Sequence, residues 1–150
     1  MNREITIRIM AVEEIERLYP IADSFFKASE FSSDFNPEHF KARWTAFISN
    51  GYGVIFVIEK NEEVVGCLGA LKYSDPNNGK IMATEMFWFV LPEHRGKGTL
   101  LLDAFEIWAH REGCQSLIMV YLTDSMPEKV KNIYENRGFR PMEVHYVKEV

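Results

Sequence analysis

Ile5, Ile7 and Ile9 alternate with Thr6 and Arg8, the period of a strand with one buried face, so the pattern opens on a half-buried strand. From Val12 the period becomes helical. Ile15, Leu18 and Tyr19 share a face, and helix is predicted to about Phe31, kinked or split at Pro20, whose ring removes a backbone donor. Asn36-Pro37-Glu38 sets a cap before a first-turn proline. Phe40, Trp44, Phe47 and Ile48 then recur at helical spacing until Asn50-Gly51 ends the helix. Two apolar runs, 54–58 and 64–71, flank a tight turn at Asn61-Glu62 and predict an antiparallel hairpin. In the loop 74–79, Asn78-Gly79 predicts a primed turn into a strand over 81–90.

Leu101, Leu102, Phe105 and Trp108 mark the inner face of a helix over 98–111, closed by Gly113. Residues 116–122 read as a strand. Ser125-Met126-Pro127-Glu128 has capping-box spacing and opens a helix through Val130, Ile133 and Tyr134 that stops at Gly138. Phe139 and residues 145–150 are the last strand material. The order β, α, α, β, β, β, α, β, α, β predicts an α/β (α+β) fold: a mixed, mostly antiparallel sheet, helices on both faces, and one right-handed βαβ crossover from the strand ending at Val90 to that ending at Leu122.

Length and composition narrow the class. A chain of 150 residues is most simply one domain, 1–150. Its hydrophobic share of 47% and its many aromatics supply a core and argue against disorder. A net charge of −5 disfavours nucleic acid as partner. No apolar run is long enough for a bilayer and no signal-type segment follows Met1, so no membrane role and a cytoplasmic location are expected. Cys67 and Cys114 lack metal-type spacing and read as reduced thiols. His39, His94, His110 and His145 are scattered, so no metal is expected.

Against this acidic background one basic turn stands out. Phe87-Trp88-Phe89-Val90-Leu91 runs into Pro92, then Arg95-Gly96-Lys97-Gly98-Thr99-Leu100 leads into the helix. A strand, a glycine turn and a helix start let backbone N–H groups converge on an anion, with Arg95 and Lys97 adding full charges. The spacing is neither a nucleotide P-loop, since Leu91 stands five before Gly96, nor a dinucleotide fingerprint.

Val90-x-Pro92-x-x-Arg95-Gly96-Lys97-Gly98 resembles the acyl-CoA signature of the GNAT superfamily of N-acetyltransferases. A helix and a strand later, Asn132-Ile133-Tyr134-Glu135-Asn136-Arg137-Gly138-Phe139 resembles that family's second landmark, and the element order fits over nearly the whole chain. The resemblance implies acetyl-CoA as cosubstrate. The backbone of Phe89, Val90 and Leu91 would take the pantetheine arm like an added strand. Arg95, Gly96, Lys97, Gly98, Thr99 and Leu100 would wrap the pyrophosphate. Leu100 departs from the family's small residue there, either pointing into the core or crowding the phosphates. The resemblance also gives Tyr134 the proton for a departing thiolate, a phenol near pKa ~10 being suited to a thiol near ~8.5. Some relatives hold the cofactor with an asparagine near the position of Pro127. Asn132 is one substitute for it here, and a solvated helix position is the plainer reading.

Acyl transfer to an amine also needs a base. Glu85 lies in an otherwise apolar strand, where a carboxylate is costly without a cleft or partner. By alternation it shares a face with Phe87 and Phe89. A structural salt bridge is its other reading. His94 is the alternative base, although an exposed loop histidine is the plainer reading of it. Asp34, Glu38, His39 and Trp44 lie where relatives bind the acceptor. These readings converge on an N-acetyltransferase acting on a small-molecule or peptide amine, with direct attack on the thioester and, as in many relatives, a homodimer. The acidic balance favours a cationic acceptor only slightly. The rival reading is a catalytically inactive acyl-CoA-binding or protein-interaction module on the same fold. An unrelated fold would show no splayed gap between the strands ending at Val90 and Leu122.

Overall fold

The structure, a computed structural model, describes residues 5–28, 35–121 and 127–150. Contacts divide the chain into two compact units, Met1–Val120 and Tyr121–Val150. The larger unit carries a five-stranded sheet in the order β1-β2-β3-β4-β5. These are β1 Ile5–Ile9, β2 Gly53–Lys60, β3 Glu63–Ser74, β4 Ile81–Val90 and β5 Ser116–Ile118. β1 to β4 pair antiparallel, and β5 runs parallel to β4 after the crossover helix. The predicted mixed sheet with one βαβ step is thus present.

The β2–β3 hairpin turns on Asn61 and Glu62, both at positive φ (53° and 66°), the pair whose twist matches the flanking strands. The primed turn expected at Asn78-Gly79 does not form. Only Gly79 has positive φ, and Asp75 closes that loop instead, its carbonyl accepting the Gly79 N–H at 2.8 Å and its side chain the Asn77 N–H.

Val54 to Ile58 are all buried, because helices cover both faces of the sheet. On one face Ile55, Val57 and Cys67 pack with Met10, Ile15, Leu18, Ile21 and Trp44. These come from a 3-10 segment Val12–Leu18, α1 Tyr19–Ala28 and α2 Pro37–Ser49. The predicted first helix is therefore split, and Pro20 falls in the first turn of α1, where its missing N–H costs nothing. Asn36 caps α2 by accepting the His39 N–H at 3.0 Å. On the opposite face Phe56 meets Phe105 and Trp108 of α3 Gly98–Arg111.

β5 is shorter than its sequence pattern. Its last pair is Thr84↔Ile118, so residues 119–121 lie outside the sheet and Leu122 falls outside the described residues. In the smaller unit, α4 Pro127–Asn136 ends at Gly138 (φ +86°), with the Tyr134 carbonyl accepting the N–H groups of Arg137 and Phe139. Ser125, the expected cap, lies outside the described residues. The expected last strand is absent. Phe139 and residues 145–150 belong to no ladder, and Val144 and Tyr146 are 77% and 96% exposed. Alternating apolar residues make a strand only where an edge accepts their backbone, and no described strand does so here.

Candidate functional site

β4 and β5 part company midway. β4 continues six residues past Thr84, from Glu85 to Val90, but β5 supplies no further ladder pair. The backbone edge of β4 over Phe89-Val90 therefore opens away from β5. On its other edge β4 stays paired to β3, and Leu91 donates its N–H to Val65 at 2.9 Å.

A bulge sits at the parting. Ala70 opposes Glu85 and Gly69 opposes Phe87, which leaves Met86 as the extra residue, 51% exposed. Adjacent β3 residues face opposite ways, so Glu85 takes the face of Ala70 and Phe87 that of Gly69. This overturns simple alternation. Glu85 does not share a face with Phe87 and Phe89; the bulge shifts the period by one. Glu85 stands on the face covered by α3, and Phe87 on the face covered by α2, where Trp44 meets it at 5.1 Å.

Glu85 is the one buried charged residue among those described, at 6% exposure. Burial pushes its carboxyl up to about 8, partly offset by a hydrogen bond from the Val120 backbone N–H. It therefore holds a proton at neutral pH and releases it just above. Its other readings, a solvent-facing position or a structural salt bridge, do not hold among the described residues: Glu85 is buried and forms no ion pair there.

The basic turn has the form that an anion requires. A short 3-10 turn, Pro92–His94, leads to Arg95 and Gly96, and α3 starts at Gly98. Gly96 adopts φ +99°, a conformation that L side chains rarely take, and a Cβ there would meet nothing within 4 Å. No side chain caps α3 and no acid occupies its first turn, so its N-terminal dipole is not offset locally. Trp88 Nε1 donates to the Gly98 carbonyl at 3.2 Å, tying the turn to β4. Arg95 and Lys97 are exposed and Thr99 is half-buried. Leu100 is 39% exposed, so it does not point into the core; Leu101 and Leu102 take the core positions.

In the smaller unit Tyr134 is buried with its ring 5.6 Å from Phe139, and Asn132 is exposed on α4. His94 is half-buried beside the turn. Asp34, like Asp124 and Ser125, lies outside the described residues.

The sequence pattern concealed an aromatic cavity of about 320 Å³ at the start of α2. Phe26, Phe35, Phe40, Trp44 and Phe47 line it with Asn36, His39 and Arg43. Of the four acceptor-side residues named from sequence, His39 and Trp44 line it and Glu38 does not. The spacing of Phe40, Trp44 and Phe47 reads equally as core packing, which is why the cavity was not legible. Among the described residues no cluster of His, Cys, Asp or Glu could hold a metal, and no helix is long and apolar enough to cross a membrane.

Solved structures with this fold are numerous. A ribosomal-protein-alanine N-acetyltransferase from Brucella melitensis biovar Abortus 2308 superposes with TM-score 0.76 at 16% identity, covering 97% of this chain and 99% of its own. An aminoglycoside acetyltransferase from an uncultured soil metagenomic sample gives 0.78 at 14%, with 98% and 99% covered. A predicted acetyltransferase from Clostridium acetobutylicum, solved with acetyl-CoA, gives 0.79 at 14%, with 97% and 96% covered. No curated protein matches the sequence. The sequence model of the acetyltransferase (GNAT) family matches residues 15–139, most of the chain. With its sheet, its parted strands and its basic turn, the chain belongs to the GNAT acetyltransferase family.

Proposed function

We propose that the protein is an acetyl-CoA-dependent N-acetyltransferase that passes the acetyl group directly to an amine. The observation that carries this reading is the β5-side edge of β4 from Glu85 to Val90, which has no ladder pair among the described residues and leads into the Arg95–Leu100 turn. The family match spans both compact units, which supports reading 1–150 as one acetyltransferase-like domain. The acetyl thioester, when bound, supplies the activated acyl group. Phe89, Val90 and Leu91 would hold the arm through backbone groups, and the turn would neutralise phosphate with N–H groups, Arg95 and Lys97. Asn132 is a further candidate contact.

A protonated amine is no nucleophile, so its proton must leave. Glu85, with a carboxyl near 8, would accept one once ionised, above neutral pH. The aromatic cavity opens on the other face of the sheet, so Glu85 would act through water at the parted edge. Tyr134 would hold the phenolic proton that a leaving thiolate requires. No metal takes part in this scheme.

Calorimetric titration with acetyl-CoA, with dephospho-CoA as control, tests the reading. Micromolar binding, weakened at least ~10-fold by Gly96→Val, is expected, since the side chain strains the left-handed backbone that shapes the turn. No binding at millimolar ligand overturns it. With an amine acceptor in hand, activity should rise with pH through about 8 and lose that limb in Glu85→Gln. Full cofactor binding without any transfer would favour the inactive module.

A further inference from the structure

The α2 cavity is built for a different acceptor from the cationic one that net charge favours. We infer that it takes an amine carrying both an aromatic or other apolar group and a carboxylate. This rests on the acetyltransferase reading and names its acceptor class. Five aromatic rings form the walls. Phe26 and Phe35 stack 5.4 Å apart, Phe40 packs edge-on against Phe35, and Trp44 edge-on against Phe47. A volume of about 320 Å³ lies at the small end for ligand sites, matching a single ring with a short polar head.

Charge decides the polar head. Among the described lining residues the one permanent charge is Arg43, whose guanidinium lies over the Phe47 ring at 4.7 Å and has no carboxylate partner among the described residues. Asn36 and His39 add polar groups, and among the described residues no Asp or Glu lines the cavity. A polycationic aminosugar needs carboxylates for its ammonium groups, and the described residues of this wall offer none. A carboxylate beside an apolar group satisfies both the guanidinium and the rings. Placement is also suitable. Phe40 and Trp44 both reach Phe87, next to the Met86 bulge where the β4–β5 ladder ends, so the cavity wall borders that end of β4.

The test is calorimetric titration of the whole chain with L-phenylalanine, 3-phenylpropanoate, phenethylamine and kanamycin, and separately with acetyl-CoA. Both carboxylates should bind. Arg43→Gln should weaken them ~10-fold or more while moving phenethylamine less than ~2-fold, and Arg43→Lys should recover part of the loss. Arg43 is exposed, so these variants keep the fold. Absence of carboxylate binding, an unchanged affinity in Arg43→Gln, or tighter binding of kanamycin than of the carboxylates overturns the inference. Failure of acetyl-CoA to bind would overturn the acetyltransferase reading without touching the carboxylate result, so the two failures are read apart.

Discussion

Glu85 is the buried carboxyl of the sheet. In the unfolded chain its carboxyl ionises in the ordinary glutamate range, and in the fold it does so at about 8. Between those values the native state holds a proton that the unfolded state has lost, so stability falls as pH rises through that window, with a slope of at most ~1.4 kcal/mol per pH unit. Urea midpoints should therefore drop between pH 6 and pH 9, and Glu85→Gln, which carries no titrating proton, should flatten the drop. An equal drop in the variant would mean that another group carries it. The sequence already marked Glu85 as out of place in an apolar strand, but its companion was not legible. The partner is a backbone N–H, that of Val120, and every residue has one.

At the scale of elements, the bulge sets the site. Gly69 opposes Phe87, and a Cβ on Gly69 would come within 2.4 Å of that ring. Gly69→Ala must push Phe87 off its place against Trp44 and Phe40. We expect a loss of ~1–3 kcal/mol by chemical denaturation, together with weaker binding in the α2 cavity. A neutral result would mean that the ring swings aside freely. The β2–β3 turn offers the opposite sign. Glu62 holds φ 66° without being glycine, so Glu62→Gly should stabilise by up to ~1 kcal/mol, read in the same assay, because Asn-Gly suits this turn without strain.

Across the whole molecule two carboxylates pull stability in opposite directions. Arg8 on β1 joins Glu14 of the 3-10 segment and Glu59 of β2, and Arg17 bonds both acids. Hydrogen bonding from Arg8, helped by the Ala11 N–H and Arg17, holds the Glu14 carboxyl down at about 2. Its folded pKa is depressed, so its contribution is present above the ordinary value and is lost as pH falls toward 2. Glu85 erodes stability on the alkaline side. The optimum should thus fall on the acid side of neutrality, around pH ~5, and a denaturation series from pH 3 to 9 would find it. Glu14→Gln should remove most of the acid limb; an unchanged limb would assign it to other carboxylates.

Local rules fixed much from sequence alone. The span of β4, the bounds of α3, the cap on α2, the break before Pro20 and the glycine turn before α3 each depend on neighbours within a few residues, and they stand in the structure as read. Periodicity failed where partners are distant. Residues 145–150 alternate like a strand, yet no described edge receives them. Residues 119–121 continue an apolar run, but the β4–β5 ladder ends at Thr84↔Ile118. Which face Glu85 takes turned on one inserted residue, Met86, and a bulge is defined only by the register of two strands. The aromatic cavity, too, exists only because α1 and α2 come together; in sequence its walls are indistinguishable from core. Spacing along the chain determined elements and the basic glycine turn. Pairing across the chain decided the faces, the gap and the aromatic cavity, because those depend on which backbone groups and side chains meet through space.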